Sequence, residues 1–329
     1  MDRPLVAVVL AGGIGTRLYP AARPDRPKQF LEFGGEQSLL ARTVDRAAFA
    51  DRVVVSTRPA FADRISEHAP DADVLVEAAP RDTGPALVQA AHELQQEEED
   101  QPVLLCLPSD HAIDGAFEPT ARAAATLAAE TGDLVTMGID PERPAAGYGY
   151  LLPGDACGAD GVTVERFIEK PDADRAAELV EDGALWNAGV FAWTPEALLR
   201  EVRDSELAPL LEALEAGEPA AGFAAVDAVS IDESVLEGSD RVAAVRAEFS
   251  WDDLGAWDAV GRQFEGPLAE TLEIDASGNV LASAEAHITV VGASDLVVAA
   301  YDDRVLVVPV DRAEEVRSAV EQLREQARF

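Results

Sequence analysis

A short glycine-rich stretch near the N-terminus carries the residues best suited to chemistry. It follows the apolar run Leu5–Leu10, which predicts a strand buried on both faces. Where glycines remove the Cβ atoms, backbone N–H groups can converge on an anion, and nearby cations add charge to the same place. The sequence therefore predicts a loop that holds a triphosphate, formed by Gly12, Gly13, Gly15, Arg17 and Lys28.

Two better-known phosphate loops do not fit this stretch. A dinucleotide-binding fingerprint requires a third glycine where the chain has Leu18, and a P-loop requires Lys and then Ser or Thr directly after the glycines. A glycine-rich turn between a strand and a helix, without any ligand, stays open as the alternative on these residues alone.

Lysine is almost absent from the chain, and its two occurrences are informative. Of 26 basic residues, only Lys28 and Lys170 are lysines. A compact ammonium on a flexible stem follows a phosphate more readily than a planar guanidinium does. Both lysines fall in stretches that other patterns single out, which favours a functional role over chance placement.

A carboxylate stands directly after another predicted buried strand. The apolar run 102–107 is followed by Pro108, Ser109, Asp110 and His111. In a parallel sheet such a strand end faces the ligand crevice. A carboxylate there suits Mg²⁺, which prefers one or two carboxylates together with phosphate oxygens and waters. We interpret Asp110 as a magnesium ligand and His111 as a structural histidine.

Strand-like runs alternate with Ala-rich amphipathic stretches along most of the chain. This order predicts an α/β fold with a mostly parallel, doubly wound sheet. After a break near Gly266–Pro267 the pattern changes to short strand-like runs and a final helix. We therefore expect one domain over 1–264 and a small β-rich C-terminal domain over 265–329. The clearest predicted elements of the first domain are strands at 52–56, 73–77, 102–107 and 134–138 and a helix at 86–99.

The stretch from Leu10 to Pro20, followed by Pro27–Lys28, resembles the signature of the sugar-nucleotide pyrophosphorylase family. Gln29–Leu31 and Leu107–His111 are similar to the mannose-1-phosphate guanylyltransferase branch of that family. The resemblance implies the nucleotide-diphospho-sugar transferase fold and a left-handed β-helix-like tail. It implies catalysis by Arg17 and Lys28 and nucleotide binding by Leu10, Ala11, Gly12, Gly13, Gly15, Thr16, Pro108 and Ser109.

Further motifs carry roles that the resemblance implies. Asp82 stands where the family contacts the nucleotide base, although a plain helix cap is an equal alternative. Gly149, between two tyrosines, would bring the backbone against the sugar. Glu169, Lys170 and Asn187 look like sugar-phosphate ligands, because a carboxylate and an amide bind hydroxyls and an ammonium binds a phosphate. The alternative is a solvated ion pair and a turn residue.

A tryptophan-rich segment, Trp251–Trp257, resembles the family's Trp-x-Asp-x-Gly-x-Trp element, and the match selects Asp253 rather than Asp252. We predict Asp253 as the second metal ligand beside Asp110, since two converging carboxylates would repel each other without a cation between them. Asp232 lies in a segment that resembles the family's Ser-Ile-Asp helix start, and it is compatible with a plain helix cap.

The resemblance implies transfer of GMP from GTP to mannose 1-phosphate, which gives GDP-mannose and pyrophosphate, with Mg²⁺ as cofactor. Two alternatives stay open. One is the same chemistry with dTTP or UTP and glucose 1-phosphate, and the other is a non-catalytic regulatory subunit. Such a subunit would be expected to have lost at least one of four charged residues, and this chain keeps Arg17, Lys28, Asp110 and Asp253.

The chain is strongly acidic throughout, with a formal net charge of −36. This field repels nucleic acids and anionic membranes. It is typical of a halophilic, salt-rich cytoplasm, where screening makes self-repulsion tolerable.

Two cysteines are too few for a disulfide framework, and neither a leader nor a membrane-spanning run is found, so we expect a cytoplasmic protein. An apolar face on the final helix favours packing or dimerisation, and a homodimer is expected.

Overall fold

The computed structural model describes residues 3–97, 101–264, 268–326 and 328–329. The last two residues of the predicted helix, 98 and 99, and the predicted break at Gly266–Pro267 lie outside these ranges. By their contacts the residues form two compact units. The first unit comprises the chain up to Gly12, Thr43–Pro108 and Ile113–Trp251, and the second comprises Gly13–Arg42, Ser109–Ala112 and the chain from Asp252 onward.

A nine-stranded sheet forms the framework of the first unit, in the order β3-β2-β1-β4-β9-β6-β10-β8-β7, while β5 and β11 pair separately. The strands are β1 (Leu5–Leu10), β2 (Arg52–Thr57), β3 (Asp73–Val76), β4 (Val103–Pro108), β5 (Ala112–Gly115), β6 (Leu134–Ile139), β7 (Tyr150–Cys157), β8 (Gly161–Ile168), β9 (Leu185–Trp193), β10 (Val242–Arg246) and β11 (Phe249–Asp252). Within the nine-stranded sheet, only β8 and β9 run against the common direction. The predicted α/β fold with a mostly parallel sheet is confirmed.

Runs of apolar residues that do not alternate with polar ones form strands in this sheet, because the sheet is covered by helices. Val6 and Val8 of β1 share a buried cluster with Leu87 of a helix, while Ala7 and Val9 point to the opposite face and are also buried. The helices are α1 (Leu39–Arg46), α2 (Ala62–His68), α3 (Thr83–Glu97), α4 (Phe117–Thr131), α5 (Ala173–Glu181), α6 (Pro195–Val202), α7 (Ala208–Glu215), α8 (Pro219–Ala225), α9 (Trp257–Gln263) and α10 (Val316–Glu325).

The C-terminal part of the second unit consists of stacked coils. Its strands are β12 (Thr271–Ile274), β13 (Val280–Ser283), β14 (Ile288–Val291), β15 (Leu296–Tyr301) and β16 (Arg304–Pro309). β12 lies parallel to β14 and β13 parallel to β15, and in both pairs the partners are 17 residues apart. Asn279 joins successive coils, since its side chain accepts from Leu296 N (3.0 Å) and donates to Ala293 O (3.1 Å). The predicted β-rich C-terminal domain is confirmed, although no sequence pattern indicated β12.

A tryptophan holds the early and late segments of the second unit together. Trp257 is fully buried and meets the ring of Phe33 edge-on, with 6.0 Å between ring centroids. Its indole Nε1 donates to Tyr19 O at 2.9 Å. The residues after the glycine loop are therefore fixed beside the segment that begins at Asp252.

Candidate active site

The glycine loop begins where β1 ends, and β2 holds its first residues. Ala11, which follows Leu10, donates from N to Ser56 O (2.8 Å), and the Thr57 hydroxyl donates to Ala11 O (2.9 Å). Both hydrogen bonds lie inside the first unit. The backbone that leads to Gly12 is therefore fixed by the sheet.

A buried carboxylate lies against Gly12, and no sequence pattern pointed to it. Glu77 is 4% exposed, and a β-carbon built on Gly12 would lie 2.8 Å from its Oε1. The Ser56 hydroxyl donates to the same oxygen at 3.4 Å. Burial raises the pKa of Glu77 to about 7, although Arg58 and Ser56 act in the opposite direction. A side chain at position 12 would therefore have to displace the end of this carboxylate.

The second half of the loop, in the second unit, folds against Lys28. Gly13 is exposed with open space around its Cα. Gly15 has a φ of +74°, and a β-carbon there would lie 2.4 Å from the Cβ of Lys28. Thr16 begins a 3-10 turn, Thr16–Leu18, and Lys28 N donates to Ile14 O at 2.9 Å. Position 15 therefore requires glycine for two reasons, its backbone conformation and its contact with Lys28.

The ammonium of Lys28 is buried and held on two sides. The residue is 4% exposed. Its Nζ forms an ion pair with Asp110 Oδ2 at 2.9 Å and donates to Asp253 O at 2.7 Å. A buried charge without such partners would destabilise the fold strongly. Lys28, Asp110 and Asp253, which the sequence singled out separately, thus form one cluster in the second unit.

Arg17 borders the same carboxylates. A β-carbon on Gly255 would lie 2.7 Å from Asp253 Oδ2 and 3.1 Å from Arg17 Nη2, so both side chains line this glycine. Arg17 Nη1 also forms an ion pair with Glu314 Oε2 at 2.7 Å. Burial alone would lower the pKa of Arg17, but Glu314, Asp253 and Asp110 outweigh it and raise the pKa. The guanidinium is firmly charged.

Asp110 and His111 respond to this cluster in different ways. Burial opposes ionisation of Asp110, but the ammonium of Lys28, through its charge and its hydrogen bond, outweighs burial and holds the pKa of Asp110 below its usual value. Burial lowers the pKa of His111 despite Asp110 and Asp253, which favours a neutral imidazole. Ser109, just before them, is buried. Pro108 is the last residue of β4, in the first unit.

The donor set of this cluster fits magnesium. Within the described ranges, no group of three or more His, Cys, Asp or Glu side chains is placed to hold a metal ion. Magnesium needs only one or two protein carboxylates, because phosphate oxygens and waters complete its shell. Asp110 and Asp253 are two such carboxylates in this cluster, since Asp110 contacts the Lys28 ammonium and Asp253 lies with Arg17 around Gly255. The residues present therefore fit the predicted ion.

The four residues predicted to bind the sugar phosphate lie together in the first unit. A β-carbon on Gly149 would lie 2.5 Å from Glu169 Oε2, and Asn187 N donates to Gly149 O at 2.8 Å. Lys170 forms an ion pair with Glu169, whose side chain is 11% exposed. Asn187 lies within β9, so the alternative of a turn residue is wrong. A mostly buried Glu169 also argues against an ordinary solvated pair.

Two further aspartates, Asp232 and Asp82, lie in motifs that the sequence singled out. Asp232 accepts a hydrogen bond from Asn187 Nδ2 at 2.7 Å. No local pattern signalled this contact, because the two residues are 45 positions apart. Asp82 is exposed, has a φ of +71° and accepts from Thr83 N at 2.8 Å, at the start of α3. A helix cap accepts from the second or third N–H of its helix, so this bond to the first N–H is not the usual capping geometry. Nucleotide binding by Asp82 stays a prediction.

Family models divide the chain into two matched parts. The model described as nucleotidyl transferase matches residues 6–266. The chain belongs to this family. A second model, described as the mannose phosphate isomerase/GMP-like β-helix domain, matches residues 269–323, in agreement with the stacked coils. The predicted nucleotidyltransferase enzyme is confirmed.

The nucleotidyl transferase is similar to known proteins over nearly its whole length. It is 33% identical to a mannose-1-phosphate guanylyltransferase of Sinorhizobium fredii, over 97% of this chain and 68% of the relative. It is 36% identical to the xanthan biosynthesis protein XanB of Xanthomonas campestris, over 98% and 74%. A crystal structure from Thermus thermophilus, described as mannose-1-phosphate geranyltransferase, superposes with a TM-score of 0.89 at 35% identity, over 98% of this chain and 99% of that one. No helix in the described residues has the length and apolar character needed to cross a bilayer.

Replacement of Gly15 tests whether the loop positions Lys28. We expect Gly15→Ala to lower turnover at least about tenfold, because its new methyl group must push the Lys28 side chain away from Asp110. Gly217→Ala is a matched control, since Gly217 has nearly the same φ (+75°) but open space around it. Both variants should lose about 1 kcal/mol of stability from backbone strain. Equal turnover in the two variants would contradict this role of Gly15.

Burial of Glu77 predicts a pH dependence of stability. Between about pH 4.5 and about pH 7, the unfolded chain releases this proton while the folded chain keeps it, so the free energy of unfolding falls as the pH rises. Above pH 7 the full penalty, about 3 kcal/mol, persists. Glu77→Gln removes it, so the stability gained over wild type should be about 2 kcal/mol larger at pH 8 than at pH 5.

Chemical denaturation of the wild type and the variant at both pH values measures this difference. Glu130→Gln, on an exposed position of α4, removes the same formal charge and corrects for general repulsion in an acidic chain. A pH-independent difference between Glu77→Gln and wild type would show that Glu77 has no raised pKa.

Proposed function

We propose that this nucleotidyl transferase transfers GMP from GTP to mannose 1-phosphate, which gives GDP-mannose and pyrophosphate. The relatives support this choice of substrates, since one of them is a mannose-1-phosphate guanylyltransferase. The local motifs at Gln29–Leu31 and Leu107–His111 favour the same pair. The reaction is a direct displacement and needs no covalent enzyme intermediate.

The observation that carries the proposal is the arrangement around Lys28. A buried ammonium destabilises the fold unless it is paired. Here its partners are a carboxylate and a carbonyl 225 positions away. A regulatory subunit without catalysis has no need of it. The same cluster includes Arg17, so two cations and two carboxylates meet within the second unit. This combination suits a triphosphate that is bound together with a divalent cation.

In the proposed reaction, a phosphate oxygen of mannose 1-phosphate attacks the α-phosphorus of GTP in line. The new oxygen–phosphorus bond forms as the bond to the β-phosphate oxygen breaks, and pyrophosphate takes the electron pair. Backbone N–H groups of Gly12, Gly13 and Gly15, with Arg17 and Lys28, bind the triphosphate and stabilise the charge that develops on pyrophosphate. A magnesium ion held by Asp110 and Asp253 would neutralise further phosphate charge.

The sugar-phosphate residues of the first unit serve the other substrate. Glu169 and Asn187 offer oxygen and amide groups to sugar hydroxyls, and the ammonium of Lys170 binds the sugar phosphate. Lys170 is more exposed than Lys28, with 60% of its side chain accessible, so its ammonium is open to the attacking phosphate while it is paired with Glu169. Burial lowers the pKa of Lys170, but Glu169, Asp232 and Glu233 outweigh this effect and raise it.

We also propose that the protein works in a salt-rich cytoplasm as a homodimer. The net charge of −36 supports work in a salt-rich cytoplasm, where counterions screen the repulsion between carboxylates. We expect turnover to rise with KCl concentration and the protein to form a homodimer, which light scattering at high KCl would measure.

The decisive test is pyrophosphate release with Mg²⁺ in high KCl, with GTP, ATP, UTP and dTTP each paired with mannose, glucose and glucosamine 1-phosphates. We expect release only with GTP and mannose 1-phosphate. Asp253→Asn should lower turnover at least about 100-fold, because charge stabilisation at the triphosphate is lost. Asp252→Asn is the matched control, because the Asp252 side chain is engaged with Leu254 N and Arg262, and it should keep more than about a tenth of the turnover.

Other outcomes of this assay have distinct meanings. Release with a different pair would replace the substrates and keep the site. No release with any pair, from a folded protein, would favour the regulatory subunit. Equal losses in Asp253→Asn and Asp252→Asn would contradict the specific assignment of Asp253.

A further inference from the structure

Glu314, a carboxylate near the C-terminus, contacts a residue that is assigned to the nucleotide. Its Oε2 accepts a hydrogen bond from Arg17 Nη1 at 2.7 Å, across 297 positions of the chain. Both residues belong to the second unit. No sequence pattern connected Glu314 with this arginine, so the contact needs a physical explanation.

Apolar residues hold the segment that carries Glu314. The segment is the 3-10 turn Val310–Glu315, which leads directly into α10. Ala313 and Val316 are both buried in it, and Ala313 packs in the apolar core of the second unit. The side chains of Arg17 and Glu314 are 37% and 64% exposed. An ion pair so accessible to water adds little to stability, so it does little to hold this turn.

Glu314 nevertheless acts strongly on the charge of Arg17. Burial lowers the pKa of Arg17, and among the groups that raise it Glu314 comes before Asp253 and Asp110. The two ends of the guanidinium have different surroundings. Nη1 is paired with Glu314, whereas Nη2 lies 3.1 Å from the position of a β-carbon on Gly255, beside Asp253. Glu314 therefore occupies the end of the guanidinium that points away from the predicted metal ligand.

The two cations of the cluster differ in how easily their partners can be exchanged. Lys28 is 4% exposed and paired with Asp110, so opening that pair would leave a buried charge unmatched. The pair of Arg17 with Glu314 can open at little cost, because water solvates both groups. Arg17 is therefore the cation that can exchange a carboxylate for a phosphate.

We propose that Glu314 competes with the phosphates of the nucleotide for Arg17, and thereby weakens the binding of the triphosphate and of pyrophosphate. This inference rests on the proposed function, which assigns Arg17 to the triphosphate. A phosphate on the same guanidinium would lie close to a carboxylate of the same sign, so the two exclude each other. When pyrophosphate leaves, Glu314 takes its place on Arg17, which favours product release.

The test measures the Kd of pyrophosphate with Mg²⁺ by calorimetry in high KCl, because pyrophosphate is released whichever base and sugar the enzyme uses. Glu314→Gln should bind pyrophosphate about two- to fivefold more tightly, since an exposed ion pair no longer has to open. KM for the nucleotide should fall by a similar factor. Unchanged binding would overturn the proposal. Weaker binding would overturn it too, and would mean that Glu314 positions Arg17 for the phosphate.

A double-mutant cycle shows whether the effect passes through Arg17. In an Arg17→Met background, Glu314→Gln should change the Kd of pyrophosphate less than about 1.5-fold, because the group for which Glu314 competes is gone. A gain of the same size with and without Arg17 would reflect general repulsion between Glu314 and phosphate, and would overturn the exchange. Thermal unfolding of each variant checks that folded proteins are compared.

Glu315→Gln is the matched control, since Glu315 follows Glu314 in the same turn but pairs with Arg312 instead. Both variants remove one negative charge from an acidic chain. Glu315→Gln should bind pyrophosphate within about 1.5-fold of wild type, because it leaves the partner of Arg17 in place. Equal gains in the two variants would show an effect of net charge and would contradict a specific role of Glu314.

Failure of the proposed function is recognised separately. Release of pyrophosphate by wild type from another nucleotide and sugar phosphate would replace the substrates, while the comparison of pyrophosphate Kd values keeps its meaning. If wild type with Mg²⁺ binds neither pyrophosphate nor any of the four nucleoside triphosphates, Arg17 serves no phosphate. That result would overturn this inference together with the proposed function.

Discussion

The buried ammonium of Lys28 is the interaction on which the second unit depends. A charge that is almost fully removed from water must be matched by partners, and here a carboxylate and a backbone carbonyl match it. Each partner comes from a different part of the chain, Asp110 from the segment after β4 and Asp253 from the segment after β11. The ion pair thus fixes where these segments lie relative to the glycine loop. It also explains why a chain that has nearly eliminated lysine keeps one here.

Two residues with a strained backbone lie directly beside candidate ligands. Leu254 and Lys170 have positive φ values of +48° and +44°, which residues other than glycine adopt rarely. Leu254 follows Asp253 directly, and Lys170 follows Glu169. In both places the strained residue turns the chain immediately after a carboxylate assigned to a site. Such conformations persist only where surrounding structure enforces them. Buried Leu254, beside Trp257 in one apolar cluster, provides that enforcement in the second unit.

The sequence predicted those features that depend on local pattern. Continuous apolar runs predicted β1, β4 and β6, and the glycine spacing predicted the loop, because strand burial and left-handed turns leave a direct mark on residue type. The contact of Lys28 with Asp253 left no such mark, since hydrogen bonds to a backbone carbonyl place no demand on residue type. Glu77 escaped for a related reason. Its carboxylate lies against Gly12, and only folding brings these two distant residues together.

Motif resemblance distinguished residues that their chemistry alone leaves equivalent. Asp252 and Asp253 are adjacent and chemically identical, so only the motif separated them, and the structure gives them different partners. Asp252 binds Arg262 and Leu254 N, whereas Asp253 faces Arg17. Asp232 shows the limit of this approach. A motif position that resembles a helix start carries a carboxylate whose partner, Asn187, lies in β9.

The order of these contacts along the chain affects how the protein matures. The ribosome makes the glycine loop and Lys28 well before their partners, since the carbonyl that binds Lys28 follows 225 residues later. Glu314, the partner of Arg17, follows that arginine by 297 residues. Contacts so distant in sequence close slowly, after local elements have formed. The fixed positions of Lys28 and Arg17 therefore depend on segments that the ribosome makes late in synthesis.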